Sequence, residues 1–224
     1  MAQTMGGQVG SILSGDNTYP PIRQGRQGDV IVSELHGRFY EQVFRGNVYS
    51  IGSGATALSA NTITLTASTT PIVGVWNPST SLVNLVILQC GCQVYINTLT
   101  TPVGSGPMVL ASSIGNTAIS TGSAPFNRKT LASTGSQAKG FPGGVALTGL
   151  TNNLVIFDGS DLANTTIITH GTITAVTTQF SVGGVHNFDG SLIVPPGGVL
   201  ALLNTTSTTT CSVASRLLWE EVPV

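Results

Sequence analysis

Charge is what this 224-residue chain has least of. Asp, Glu, Lys and Arg make up 8% of it, against about 25% in ordinary globular proteins. From Gly46 through Asn127, more than a third of the length, there is no Asp, Glu, Lys, Arg or His. Only Tyr49, Cys90, Cys92 and Tyr95 can titrate there, with ordinary pKa values well above neutral. General acid–base catalysis needs a group poised near the working pH, and this stretch offers none. Solubility of a free monomer normally rests on a charged surface of mixed sign. A chain that gives this up either sits in a membrane or has its surface covered by partners.

Long apolar runs are also missing. A spanning helix needs about 20 consecutive, mostly apolar residues. The longest runs here are Leu82-Val83 and Leu85-Val86-Ile87-Leu88, with Asn84 between them. The opening residues, Met1 to Gly10, carry no basic residue and no apolar core, so no secretory signal is expected. The sequons at Asn164 and Asn204 are read as chance in a Thr-rich chain. Net charge is −1, so there is no basic field for nucleic acid and no acidic one for a cationic partner. Disorder is not the consequence, because disorder needs low hydrophobicity and high charge.

Cysteine is scarce too. Cys90 and Cys92 sit at i and i+2, and Cys211 lies in another segment. On a strand the pair shares a face about 6.5–7 Å apart, which is far for a disulfide. No His lies near them in sequence to complete a four-ligand zinc site. They read as buried free thiols acting as small hydrophobes, in keeping with a reducing cytoplasm. No metal and no cofactor is expected.

What charge there is gathers at one end. Residues 1–45 hold Asp16, Arg23, Arg26, Asp29, Glu34, Arg38, Glu41 and Arg45, with a Gly- and Pro-rich opening over residues 1–28 and no apolar periodicity there. This predicts an extended N-terminal arm plus short β elements over 1–49, ordered by whatever the arm lies on. Val30-Ile31-Val32 begins a strand, His36-Gly37 and Gly46-Asn47 look like turns, and 38–45 is open between strand and short helix.

From residue 50 to 224 the texture is β. Thr62–Ala67 alternates with period two. Strands are expected at Pro71–Trp76, Leu82–Gln89, Cys92–Ile96 after a bulge at Gly91, Met108–Ala111 and Thr117–Ile119. Leu154–Phe157 reads as a core strand, and Thr165–His170 with Thr172–Phe180 as a hairpin. Ser191–Val194, Gly198–Leu203 and Thr210–Trp219 complete the set. Strands this short, with turn residues between them, predict an all-β, antiparallel β-sandwich. A jelly roll suits a core of this size.

No constellation of chemistry stands out, and no catalytic residue is assigned. His170 and His186 could approach Asp158, Asp161 or Asp189, but His-Gly and Asp-Gly pairs carry the turn signature. The three aspartates could also hold a hard cation, or simply shape turns. Glu220 and Glu221 are adjacent, so on a strand they face opposite ways and do not form a facing catalytic pair. The Gly-Ser-Gly turns at 52–54 and 104–106 lack the strand-to-helix setting of a phosphate loop. Arg23, Arg26, Arg38 and Arg45 suit bidentate pairing with a partner's acids. They could equally pair within the chain, with Asp29, Glu34 and Glu41.

Two phrases carry a resemblance. One runs from Pro71 through Trp76-Asn77-Pro78 to Leu88; the other is Ile193-Val194-Pro195-Pro196-Gly197-Gly198 to Leu202, closing with Ser215 to Glu221. With Asp29–Ser50, they resemble structural proteins of tailed-bacteriophage virions, jelly-roll proteins that decorate or cement the head. The resemblance implies a symmetric homo-oligomer that clamps neighbouring subunits of a major capsid protein through its arm. It also implies location in the virion after assembly in the host cytoplasm, without nucleic acid or membrane as partner. The expectation is a non-enzymatic structural protein. A tail-fibre or tail-tip adhesin binding host glycan is the alternative, and a carbohydrate-active enzyme the third reading.

Overall fold

The computed structural model describes residues 37–58, 68–96, 108–158, 181–204 and 208–224. The elements are α1 (Tyr40–Arg45), β1 (Val48–Leu58), β2 (Ser68–Thr69), β3 (Val73–Trp76), β4 (Val83–Ile96), β5 (Met108–Ser113) and β6 (Phe126–Asn127). They continue with β7 (Lys139–Pro142), β8 (Leu147–Thr148), β9 (Val155–Asp158), β10 (Ser181–Val194), β11 (Val199–Asn204) and β12 (Thr208–Pro223). The strands expected at Val30–Val32 and Thr62–Ala67 and the hairpin of 165–180 lie outside the described residues.

The chain divides into two compact units, Met1–Tyr40 and Glu41–Val224. In the first, the Tyr40 amide donates to the Gly37 carbonyl, and the Arg38 guanidinium lies 5.7 Å from the centre of the Phe39 ring. The segment left open between strand and helix is the helix α1. Glu41 in its first turn and Arg45 in its last suit the helix dipole. It ends at Gly46, whose φ of 84° places it in the left-handed region. The Gly46 amide donates to Val43 and the Asn47 amide to Gln42, the Schellman closure that frees a strand to begin at Val48.

Ten of the strands form two five-stranded antiparallel sheets. Sheet one has the order β10-β4-β12-β1-β6, and sheet two the order β7-β3-β11-β5-β9. The pairing is nested: β1 with β12, β3 with β11, β4 with β10, and β5 with β9. The nest is rolled so that β12 also lies beside β4 and β11 beside β5. The expected β-sandwich is the fold observed.

Period-two alternation builds two cores. Val73, Val75, Met108, Leu110, Leu200 and Leu202 of sheet two face Tyr49, Leu85, Ile87, Leu217 and Trp219 of sheet one. The alternate residues of sheet two, Trp76, Val109, Ala111, Val199, Ala201 and Leu203, face the other way. With Phe141 of β7 they are covered by Ile119, Leu147, Leu150 and Leu154, from the segments on either side of β7. Sheet two is therefore apolar on both faces. Sheet one has a core face and an outer face.

Several expectations need correction. The irregularity of β4 lies at Leu88, not Gly91. Leu218 pairs with Gln89 and Trp219 with Ile87, which leaves Leu88 as the extra residue. One extra residue reverses the alternation. The inward row accordingly runs Val83, Leu85, Ile87 and then Cys90, Cys92, Val94. Gly91 sits in regular register beneath Arg216, whose Cγ would lie 3.2 Å from a Cβ there. Leu154–Phe157 is no core strand. β9 is four residues long, pairs with β5, and leaves Val155 and Phe157 exposed. Thr117–Ile119 is not a strand; its Ile119 is instead tucked into the cover of sheet two.

The two sequence phrases quoted above meet in space. The Asn77 amide donates to the Gly198 carbonyl, and the Asn77 carbonyl accepts from Gly197. The fully buried Asn77 side chain donates to the carbonyls of Val83, at 2.8 Å, and Val194, at 3.1 Å. It thus ties the start of β4 to the end of β10 at the turn into β11. Asn77→Ala removes a donor from both carbonyls and leaves Val83 with the Ser81 hydroxyl at 3.3 Å, a loss of about 1–3 kcal/mol. Chemical denaturation followed by circular dichroism is expected to show it, and an unchanged midpoint would remove Asn77 as the tie.

Candidate assembly surface

Among the described residues, the outer face of sheet one is exposed over much of β10, β4 and β12, while at the start of β1 the outward Val48 is buried. Its outward rows are read from register. Arg216 lies level with Gly52 on β1, Gly91 on β4 and, through Gly91, Val185 on β10. Leu218 lies level with Ser50 and Gln89, and Gln89 with Asn187. Glu220 lies level with Val86, and Val86 with Ile193. Gln93, Gly183 and Ala214 form the next level beyond Arg216.

Most of this face is uncharged. The Gln89 amide donates to Asn187 at 2.7 Å and accepts from the Arg216 guanidinium at 3.2 Å. Arg216 lies flat over Gly91, within 3.2–3.7 Å of where a Cβ would stand. Around it, Gly91, Gly183, Gly184 and Ala214 floor a shallow hollow of about 680 Å³. At the opposite end of β12 the face rises: Val86 and Glu220 are half-buried, and Ile193 is 53% exposed. Partial burial pushes the Glu220 carboxyl above its ordinary range. The sign follows from burial disfavouring the charged form. Glu220's contribution to stability is present below the ordinary carboxylate pKa and is lost as pH rises through the raised one.

Neither Arg216 nor Glu220 has an oppositely charged partner among the described residues. Glu221, on the inward side, is buried and accepts from the Ser136 hydroxyl and the Gln137 amide. The two glutamates face opposite ways, as their adjacency on a strand requires.

The candidates from the sequence fall elsewhere. Arg45 pairs with Glu41 at 2.9 Å on α1, both well exposed, which is the intramolecular option. Arg38 rests on Phe39, and Arg23 and Arg26 lie outside the described residues. His186 packs on Phe188, ring centres 4.5 Å apart, and no carboxylate among the described residues is paired with it. Asp189, with φ of 55°, and Gly190, at 85°, lie not in a turn between strands but within β10, in the irregularity between Asn187 and Leu192. Asp158 ends β9, while Asp161 and His170 lie outside the described residues. Among the described residues no three His, Cys, Asp or Glu side chains gather as metal ligands. No described helix is long and apolar enough to cross a membrane.

Sequence reasoning passed over Arg216. The signal was a lone charge in the alternating run Val213 to Trp219, in phase with Glu220.

Cys90 and Cys92 are free, buried and on the inward face, as expected. Cys92 lies 3.0 Å from the Met108 sulfur. Burial pushes Cys90 up to about 12, with the neighbouring Cys92 adding to it, and Cys92 up to about 11. Raised thiol pKa values favour the fold below the ordinary value near 9, and this contribution is lost as pH rises through 11–12. In a Cys211→Ser variant, a thiol reagent at pH 8 is expected to find no fast-reacting group until denaturant is added, and then two. Fast reaction of the native protein would contradict the burial.

No family model matches the chain, and no curated protein matches it. Among solved structures, a chain described as "KBV activated particle at acidic pH" aligns over 100% of this chain and 88% of its own, at 12% identity and a TM-score of 0.24. That score is too low for the alignment to decide fold or function.

Proposed function

We propose that this chain is a non-enzymatic structural protein of a virus particle. In this reading it is a jelly-roll subunit that associates with copies of itself and clamps neighbouring shell subunits through its charge-rich N-terminal segment. The observation that carries the reading is the outer face of sheet one: exposed among the described residues, floored by glycine in one half, and bearing few charges. Such a face is buried against protein without stranding ionised groups, provided its hydrogen bonds are met. The nested pairing of β1 with β12 through β5 with β9 supports the jelly-roll reading, an architecture used in capsid subunits. The phrases that resemble phage head proteins, joined at Asn77, are structural in this fold.

An adhesin reading has less support. Sugar-binding sites often stack on tryptophan, and both tryptophans are buried; the exposed aromatics Tyr40, Phe44, Phe126 and Phe157 are what an adhesin would have to use.

Antibody to the C-terminus is expected to label the heads of purified virions. Label confined to the tail tip would favour the adhesin, and unlabelled virions would contradict a structural role. Removal of residues 1–28 is expected to lower head occupancy at least about tenfold through lost avidity, with the solution mass of the oligomer unchanged. A truncated protein that decorates heads as tightly as the full chain would remove the arm as the clamp.

A further inference from the structure

The outer face of sheet one is complementary to itself. Arg216 and Glu220 lie on the same outward row of β12, four residues and about 13 Å apart, with Leu218 midway. Each lacks a charged partner among the described residues. Val185, 51% exposed, is level with Arg216 on β10; Ile193, 53% exposed, is level with Glu220 through Val86. Gly91 separates Arg216 from Val185, and Val86 separates Glu220 from Ile193. One half of the face is thus a hollow floored by glycine. The other half is raised by a valine, an isoleucine and a carboxylate.

We propose that two copies of this chain pack sheet one against sheet one about a two-fold axis. The axis lies between the sheets and crosses β12 at right angles beside Leu218. This operation stacks β12 on β12, β4 on β4 and β10 on β10, with strand directions reversed. It sets Arg216 opposite Glu220 of the second copy, twice. It sets Val185 opposite Ile193, and Val86 over the floor at Gly91. Sheets pack about 10 Å apart, a gap that an arginine and a glutamate reaching from opposite sides can close. A two-fold axis parallel to the strands would instead place Arg216 on Arg216 and Glu220 on Glu220, so the charges select between the two arrangements. Four strands about 4.8 Å apart and ten residues long offer a flat area of about 600 Å². This approaches the roughly 800 Å² per partner of a stable interface.

The proposal deepens the self-association named under Proposed function and rests on it only for that step. Solution mass tests this proposal, and virion labelling tests the role in the particle, so the two fail separately. The full-length protein is measured by light scattering and sedimentation over a concentration series, with thermal melts confirming that each variant folds. The wild type is expected to populate a dimer, or an even-numbered assembly built from it. Arg216→Glu and Glu220→Arg are each expected to raise the dissociation constant at least about tenfold, because each places like charges face to face twice. The double variant Arg216→Glu/Glu220→Arg restores opposite charges and is expected to return within a few-fold of wild type. A wild type that stays monomeric at tens of micromolar overturns the proposal. So do folded single variants with unchanged mass, or a double variant no tighter than the weaker single one.

Discussion

The fold hangs on the ladder between β4 and β12. It joins residues 83–96 to residues 211–223 in one antiparallel register with one interruption. Its inward rows supply Leu85, Ile87, Cys90, Leu217 and Trp219 to the main core. The extra residue at Leu88 lets β4 keep an apolar inward row along its whole length while β12 runs through without a break. A strand of fourteen residues otherwise commits to one phase, and a slip of one residue would send its whole apolar set to the outside. Nearest the seam, β10 on one side and β1 on the other extend the sheet, β10 with an irregularity of its own between Asn187 and Leu192 and β1 with shifts after Ser53 and Ala57.

The division of labour between the sheets follows from that seam. Sheet two is apolar on both sides because Ile119 and the apolar residues of 145–154 lie over its outer face. They bring Leu147, Leu150 and Leu154 against a face that would otherwise meet water, beside Phe141 of β7. Sheet one has Gly, Gln, Asn and Ser where sheet two has Val, Ala and Leu, and Arg216 and Glu220, without a charged partner among the described residues, share one of its rows. The contrast separates a face completed within the chain from a face suited to a partner. Low charge, the most conspicuous feature of the sequence, is the common condition of both.

Much of this was legible from the residues. The Val-Gly-Val-Trp, Leu-Val-Ile-Leu and Val-Leu-Ala-Leu-Leu runs announce buried strands, and Gly46-Asn47 announces a helix stop as readily as a turn. The burial of Cys90 and Cys92 followed from their neighbours. The bulge did not follow, because Gly91 carries the local signature of one while Leu88 carries none. Only the partner strand reveals which residue is extra. Leu154–Phe157 was misjudged because a short apolar run looks the same at the edge of a sheet as at its centre. The assembly face was hidden for a related reason. Arg216 and Glu220 become a pair of opposites on one face only when β12 is known to run straight from one to the other, and Gly91 becomes a floor only once Arg216 lies over it.

The central claim is that the outer face of sheet one is a surface meant to be covered by protein. Hydroxyl-radical footprinting of the native, full-length protein across a concentration series reads it directly, through the side chains of Val185, Leu218 and Ile193. The account predicts that all three lose reactivity together as concentration rises, while Val155 and Leu131, exposed elsewhere, keep theirs. Equal labelling of the three at every concentration, in the free protein and in the assembled particle alike, would contradict it.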